Sequence, residues 1–276
     1  MSYFQLKNKE ELYYEDIGSG KDTIVFMSGW SVDHTVFIKP ANLLKDRARC
    51  IYYDHRGHLK SKNANKEEVT METLASDLNE LITGLKLENI TLLGWSMGVG
   101  VALTYIKMYG CKKLKKLILC DMTPKSLNDD EWHLGLRHGT FTEKDIEEEN
   151  KLPFFQKYKS FVIEAVPRLK KVPAFLLDPA LKKRLKNSDQ KVLESLSKSM
   201  KYQDNRDALE KITVPLTYFY PYPEACFMCE LKDYYKENVN VPYKAVKFDK
   251  TDHMFPSEKP NKFAEEIRKV LDENNE

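Results

Sequence analysis

Several protein classes are set aside by what this 276-residue chain lacks. Its five cysteines are an odd count without framework spacing, which argues against a disulfide scaffold and for a reducing compartment. The single C-x-x-C, Cys226-Phe227-Met228-Cys229, has no second pair of ligands at zinc spacing, so neither a structural zinc nor a redox centre is expected. No apolar run approaches the ~20 residues of a membrane span, and the mean hydropathy is −0.55. The first residues, Met1-Ser2-Tyr3-Phe4-Gln5, carry neither a basic region nor an apolar core of a leader. A cytoplasmic location is therefore expected. With 44 basic and 42 acidic residues the net charge is only +2, so neither nucleic acid nor a membrane surface is expected as a partner. No internal repeat or low-complexity tract is present.

What the chain does carry is an alternation of apolar strands and amphipathic helices. Residues 3–7 and 11–17 read as an antiparallel edge hairpin, broken off by Gly18-Ser19-Gly20. Thr23-Ile24-Val25-Phe26-Met27 is a continuous apolar run of the buried parallel type and ends in Ser28-Gly29-Trp30-Ser31. A helix over about 36–46 and a strand at 49–53 then deliver Asp54-His55-Arg56-Gly57-His58. Thr70 reads as the N-cap of a helix over 70–86, because Met71, Leu74, Leu78, Leu81, Ile82 and Leu85 recur at steps of three and four. Another buried strand ends in Leu119-Cys120-Asp121. From Pro124 to about Ile212 strand-like runs stop, and helical segments such as 155–166 and 189–201 are bounded by prolines. The rhythm then resumes with a strand at 214–220, a helix near 228–237, a strand at 243–248 and a last helix carrying Phe263, Ile267, Val270 and Leu271. These elements imply an α/β fold, with core segments 1–123 and 213–276 and an all-helical insertion over 124–212.

Ile90-Thr91-Leu92-Leu93-Gly94-Trp95-Ser96-Met97-Gly98 is the chemical centre of the pattern. It is a strand, a G-x-S-x-G turn and the start of a helix, a context that exposes the serine at a strand end in strained backbone. N–H groups at the helix start, that of Met97 among them, can stabilise a developing oxyanion. A serine hydroxyl needs a base and an acid to orient that base.

Four stretches in this order resemble the α/β-hydrolase fold, in its carboxylesterase and lactonase branch with a helical cap: Ser28-Gly29-Trp30, Asp54-His55-Arg56-Gly57-His58, Gly94-Trp95-Ser96-Met97-Gly98, and Asp252-His253-Met254-Phe255 with Glu258-Lys259-Pro260. The two Gly-Trp pairs also resemble pimeloyl-acyl-carrier-protein methyl ester esterases, which would imply an acyl-carrier-linked substrate. The chain departs from the family where Ser28 replaces a common histidine and where Leu59 and Asp252 replace common glycines. The resemblance implies a mostly parallel eight-stranded sheet, a triad in the order serine, acid, histidine, and no metal or organic cofactor.

On that pattern Ser96 is the expected nucleophile and His253 the expected base. Counting from Pro215 places the acid on Glu224, with one helix and one strand left before His253. Asp121, at a strand end from which a few family members take their acid, is the rival, and Glu230 and Asp233 are further candidates. The oxyanion donors would be the N–H groups of Trp30 and Met97, and the side chains of Trp30 and Trp95 are candidates to line the substrate pocket. His55 and His58 are expected in a structural turn with Asp54 and Arg56, His34 near the oxyanion loop, and His133 and His138 on polar surface. Arg137, Arg168, Phe154, Phe155, Phe161 and Phe175 are the candidate cap residues that could meet a substrate. The expected activity is hydrolysis of a small to medium ester, thioester or lactone through an acyl-enzyme. Acyl transfer, cofactor-free perhydrolysis and a non-catalytic ligand-binding role are the alternatives, and the sequence leaves the oligomeric state open.

Overall fold

The computed structural model describes residues 2–273. Eight strands among them form one sheet: β1 (Ser2–Gln5), β2 (Glu11–Ile17), β3 (Asp22–Met27), β4 (Ala48–Tyr53), β5 (Ile90–Trp95), β6 (Leu114–Cys120), β7 (Leu216–Tyr222) and β8 (Tyr243–Asp249). Their spatial order is β1-β2-β4-β3-β5-β6-β7-β8. The pairs β1–β2 and β2–β4 are antiparallel and the remainder parallel. This is the mostly parallel sheet with flanking helices that the alternating pattern implies.

Helices α1 (Ile38–Leu44), α2 (Met71–Gly84) and α3 (Met97–Tyr109) come after β3, β4 and β5. The segment between β6 and β7 holds the short turn α4 (Leu136–Gly139) and helices α5 (Glu143–Asn150), α6 (Phe154–Ala165), α7 (Ala174–Leu185) and α8 (Gln190–Tyr202). After it come α9 (Leu231–Asn238), the single turn α10 (Phe255–Glu258) and α11 (Pro260–Asp272). The expected helix over 36–46 begins instead as a 3-10 turn over His34–Phe37, because the Asp33 carboxylate accepts from the Thr35 N–H and caps it one turn early. Thr70 caps α2, reciprocally with Thr73.

Alternation along the central strands divides the core in two. Ile24, Phe26, Leu93, Trp95, Ile118 and Cys120 face α1 and α11, joined there by Leu44, Phe263 and Ile267. Val25, Met27, Leu92, Leu117 and Leu119 face α2 and α3, whose Leu78, Leu81, Val101 and Leu103 share that cluster with Leu193, Leu196 and Met200 of α8. The helical insertion is thus continuous with one core layer. It is also tied down by polar bonds: Ser195 Oγ donates to Val69 O at 2.8 Å, Met71 N–H to Ser199 Oγ at 3.0 Å, and Asp189 N–H to Gly57 O at 2.8 Å. No helix among the described residues is long and apolar enough to cross a membrane.

Strand order sets where a ligand can sit. After β3 the chain moves outward to β4, then returns across β3 to form β5 on its other side. The loops leaving β3 and β5 therefore diverge from neighbouring strand ends, the crevice where α/β sheets place ligands.

Candidate active site

Ser96 lies between β5 and α3 with φ 56° and ψ −124°, left-handed backbone that a non-glycine residue adopts at a cost of order 1–3 kcal/mol. The turn is over-determined on both sides. Ser96 N–H donates to Cys120 O at 2.9 Å and Val99 N–H donates to Ser96 O at 2.8 Å. A Cβ at Gly98 would sit 2.3 Å from Met27 O, so only glycine lets α3 start this close to β3. Met97 is the first residue of α3, where N–H groups have no partner within the helix.

His253 lies just past β8 and is buried. Its Nδ1 donates to Asp121 Oδ2 at 2.7 Å. That bond fixes the tautomer and leaves Nε2 as the acceptor. Asp121 itself is directly after β6, with φ 48° and its N–H on Phe219 O at 2.9 Å, an arrangement that turns its side chain across β7. Burial pushes the Asp121 carboxyl above its ordinary value, against the pull of the His253 hydrogen bond.

The pairing of His253 with Glu224 is not formed. Glu224 is exposed on the loop after β7, and its Oε1 accepts from the Cys229 N–H at 2.9 Å. Glu224 stands two residues beyond the end of β7, in which Pro221 is still paired with Phe248 of β8, and its carboxylate closes a local turn instead. Glu230 and Asp233 are exposed too, and Asp233 pairs with Lys232. Of the carboxylates weighed on sequence, Asp121 is the one in contact with the imidazole.

Ser96 and His253 line one cavity of about 30 Å³, together with Gly29, Trp30, Trp95 and Phe161. That is room for roughly one water. Gly29 is so near that a Cβ there would lie 3.2 Å from Ser96 Oγ. The two tryptophans act as walls with anchored indoles: Trp30 Nε1 donates to Leu193 O on α8 and Trp95 Nε1 to His253 O, each at 2.9 Å. Trp95 also packs on the imidazole, ring centroids 5.3 Å apart. Across Trp30 and Phe161 lies a second cavity of about 270 Å³ between the insertion helices, lined by Phe141, Ile146, Phe154 and Met200 on its apolar side. Charged groups form its other side. Arg137 there is engaged by Asp145, Glu149 and Glu164, and Lys201 by Glu149.

Other residues singled out by sequence fall into structural roles. Arg168 reaches from the insertion to Asp252 and Glu258, on either side of His253 in the chain, a latch the sequence pattern did not reveal. Phe154, Phe155 and Phe161 are partly buried in the insertion, whereas Phe175 is exposed. His133 and His138 lie on the surface. Asp33, His34 and Asp54 bring three donor atoms within 4.8 Å of one another. Asp54 is already the acceptor for the His34 N–H and Nδ1, each at 2.8 Å, and for the Lys60 N–H, while Asp33 accepts from the Thr35 N–H, so these groups are engaged in local hydrogen bonds. All five cysteines are free. Burial pushes the Cys226 thiol well up, and burial with the neighbouring Glu224 pushes that of Cys229 up to about 12, so neither is a ready thiolate.

This fold is that of a known family. The model of the alpha/beta hydrolase fold matches residues 22–270, and the chain belongs to that family. Its relatives include esterases, enol-lactonases and haloperoxidases. An esterase from Exiguobacterium antarcticum superposes with a TM-score of 0.83 at 27% identity, over 99% of both chains. A non-heme chloroperoxidase from Kitasatospora aureofaciens is 30% identical over 145 residues, 49% of this chain and 52% of that protein. A 3-oxoadipate enol-lactonase from Acinetobacter baylyi is 26% identical over 110 residues, 40% of each. The chain spans about half the length of the curated relatives it matches, or somewhat less.

Proposed function

We propose that this protein is a serine hydrolase acting on a small to medium carboxylic ester, thioester or lactone. Ser96 Oγ attacks the carbonyl carbon while His253 Nε2 takes its proton. Asp121, rather than Glu224, orients the imidazole and stabilises the imidazolium. The N–H groups of Trp30 and Met97 receive the developing oxyanion. His253 then returns the proton to the leaving oxygen or sulfur, and water activated by the same Nε2 releases the acyl group from Ser96. Residues 124–212 serve as the cap that excludes bulk water, and the larger cavity beyond Phe161 is the room for the substrate's longer arm.

The observation that carries this reading is the buried His253–Asp121 bond of 2.7 Å beside a serine in left-handed backbone on the same cavity. Labelling with a fluorophosphonate and a p-nitrophenyl ester chain-length panel test it. Parent protein should label and turn over, Ser96→Ala should do neither, and Asp121→Asn should lose roughly 10³–10⁴ in kcat. Glu224→Gln should stay within about threefold of the parent, because its carboxylate faces a backbone N–H outside the cavity. Loss of activity in Glu224→Gln with full activity in Asp121→Asn would sink the assignment.

A second reading, perhydrolysis on the same acyl-enzyme, is favoured by the chloroperoxidase relative. Hydrogen peroxide would replace water as the acceptor and release a peracid. Peracid formation from acetate and peroxide, absent in Ser96→Ala, would mark it. Transfer to an acceptor alcohol, or an acyl-carrier-linked substrate, would appear in the same assays as acceleration by that acceptor or a preference for that thioester. A protein that neither labels nor turns over is instead a ligand binder on this scaffold.

A further inference from the structure

The turn that leaves β3 is held by two histidines that take no part in the proposed proton transfers. Within Gly29–Val32, Val32 N–H donates to Gly29 O at 3.1 Å and Ser28 Oγ donates to Val32 O at 2.9 Å. Because the peptide is trans and planar, a Gly29 carbonyl aimed into the turn sends the Trp30 N–H the opposite way. Ser31, the third residue of the turn, has φ 58°. That is the position where a type II turn calls for glycine, and serine there is strained toward the alternative with its flanking peptide reversed.

Two imidazoles from the loop after β4 bracket this donor peptide. His55 Nε2 meets Ser28 O at 3.1 Å, one peptide before it. His58 Nε2 accepts from the Ser31 N–H at 3.2 Å, one peptide after it. The tautomers are fixed by the remaining contacts. His58 Nδ1 faces the Arg56 carbonyl at 3.2 Å and so carries the proton, leaving Nε2 bare. His55 donates from Nε2, and its buried Nδ1 has no partner. A second proton on either ring would have nowhere to go: on His58 it would oppose the Ser31 N–H, and on His55 it would be orphaned. Both rings are fully buried, and burial lowers the pKa of each.

We propose that His55 and His58 are positioning residues that clamp the turn Ser28–Val32 so that the Trp30 N–H stays directed at the oxyanion. His58 does so by capturing the Ser31 N–H, which holds Ser31 in its left-handed conformation against its own preference. The inference rests on the serine-hydrolase reading, in which Trp30 is one of the two donors.

Kinetics on a small set of variants test it. His58→Phe keeps a planar ring, though a somewhat larger one, and deletes the acceptor, so kcat for p-nitrophenyl esters should fall roughly 10–100-fold, less than or near the loss of one oxyanion donor, while KM stays near the parent value. His58→Gln, which restores an acceptor, should recover most of that loss. The Ser31→Gly, His58→Phe double variant should recover it as well, because glycine holds the positive φ without help. That double variant also reads the clamp if His58→Phe alone folds poorly. His55→Leu should lower kcat and His55→Gln, which keeps a donor, should not. Inhibition by a boronic acid, whose tetrahedral adduct uses the oxyanion donors, should weaken in step with kcat. Parent-level kcat in a folded His58→Phe, or a loss that neither His58→Gln nor Ser31→Gly repairs, overturns the clamp and leaves the hydrolase reading intact. An unreactive parent overturns that reading itself, and the clamp with it.

Discussion

A histidine held neutral inside a protein leaves a signature in stability. His55 is pushed from its ordinary 6.5 down to about 3, first by burial and then by the neighbouring His58. The Tyr53 ring packs on it edge-on, and its Nε2 meets a backbone carbonyl rather than a carboxylate. Above pH 6.5 neither the folded nor the unfolded chain protonates this ring, and its full contribution is present. Below that, the unfolded chain takes a proton that the folded one refuses, so stability is lost progressively as pH falls toward 3. Denaturant unfolding of parent and His55→Gln should therefore differ by roughly 2 kcal/mol less at pH 5 than at pH 7. Parallel pH profiles for the two proteins would show that the ring is not held neutral. The same residue marks a limit of sequence reading. That His55 and His58 belong to a turn is legible, but the contacts they make cross to another loop and obey no helical or strand period. The carboxylate partner of His253 was obscured for a related reason. Asp121 and Glu224 each come after one of two adjacent strands, and what separates them is local. A left-handed residue turns one carboxylate inward, and a backbone N–H of the following loop engages the other.

Two elements have consequences that can be measured independently. On α11, Phe263 meets the rings of Phe219, Phe248 and Phe255 at centroid distances of 5.8, 6.1 and 5.8 Å. Its place in the helical stripe was legible from spacing alone, since Phe263, Ile267, Val270 and Leu271 recur on one face. Phe263→Ala should cost about 3–5 kcal/mol of unfolding free energy with an unchanged m-value. On α6, Phe161 packs edge-on against Trp30, ring centroids 5.2 Å apart, in the wall between the 30 and 270 Å³ cavities. Truncating it joins them. Phe161→Ala should shift the p-nitrophenyl ester optimum to longer acyl chains, with the kcat/KM ratio of long to short chains rising about tenfold or more, at ~0.8 kcal/mol per buried methylene. An unchanged chain-length profile would place the acyl arm elsewhere. The sequence marked Phe161 as apolar lining, but could not separate cavity wall from packing within the insertion, because both give the same stripe.

At the scale of the whole molecule, the mostly parallel sheet was legible because buried strands and amphipathic helices have different periods. The latch from Arg168 to Asp252 and Glu258 was not, since it joins surface residues 84 or more positions apart. The same long reach governs the proposed catalytic pair. Asp121 and His253 are 132 residues apart, with the whole insertion, β7 and β8 between them. Closing so large a loop is entropically unfavourable until the intervening elements have formed, and contacts of high sequence separation assemble slowly. Local helices such as α2 and α8 face no such delay. During refolding from denaturant, far-ultraviolet circular dichroism should recover ahead of ester hydrolysis, and coincident recovery would show that the pair closes with the helices. Returning activity would then time the last step of folding, and helical signal only its beginning.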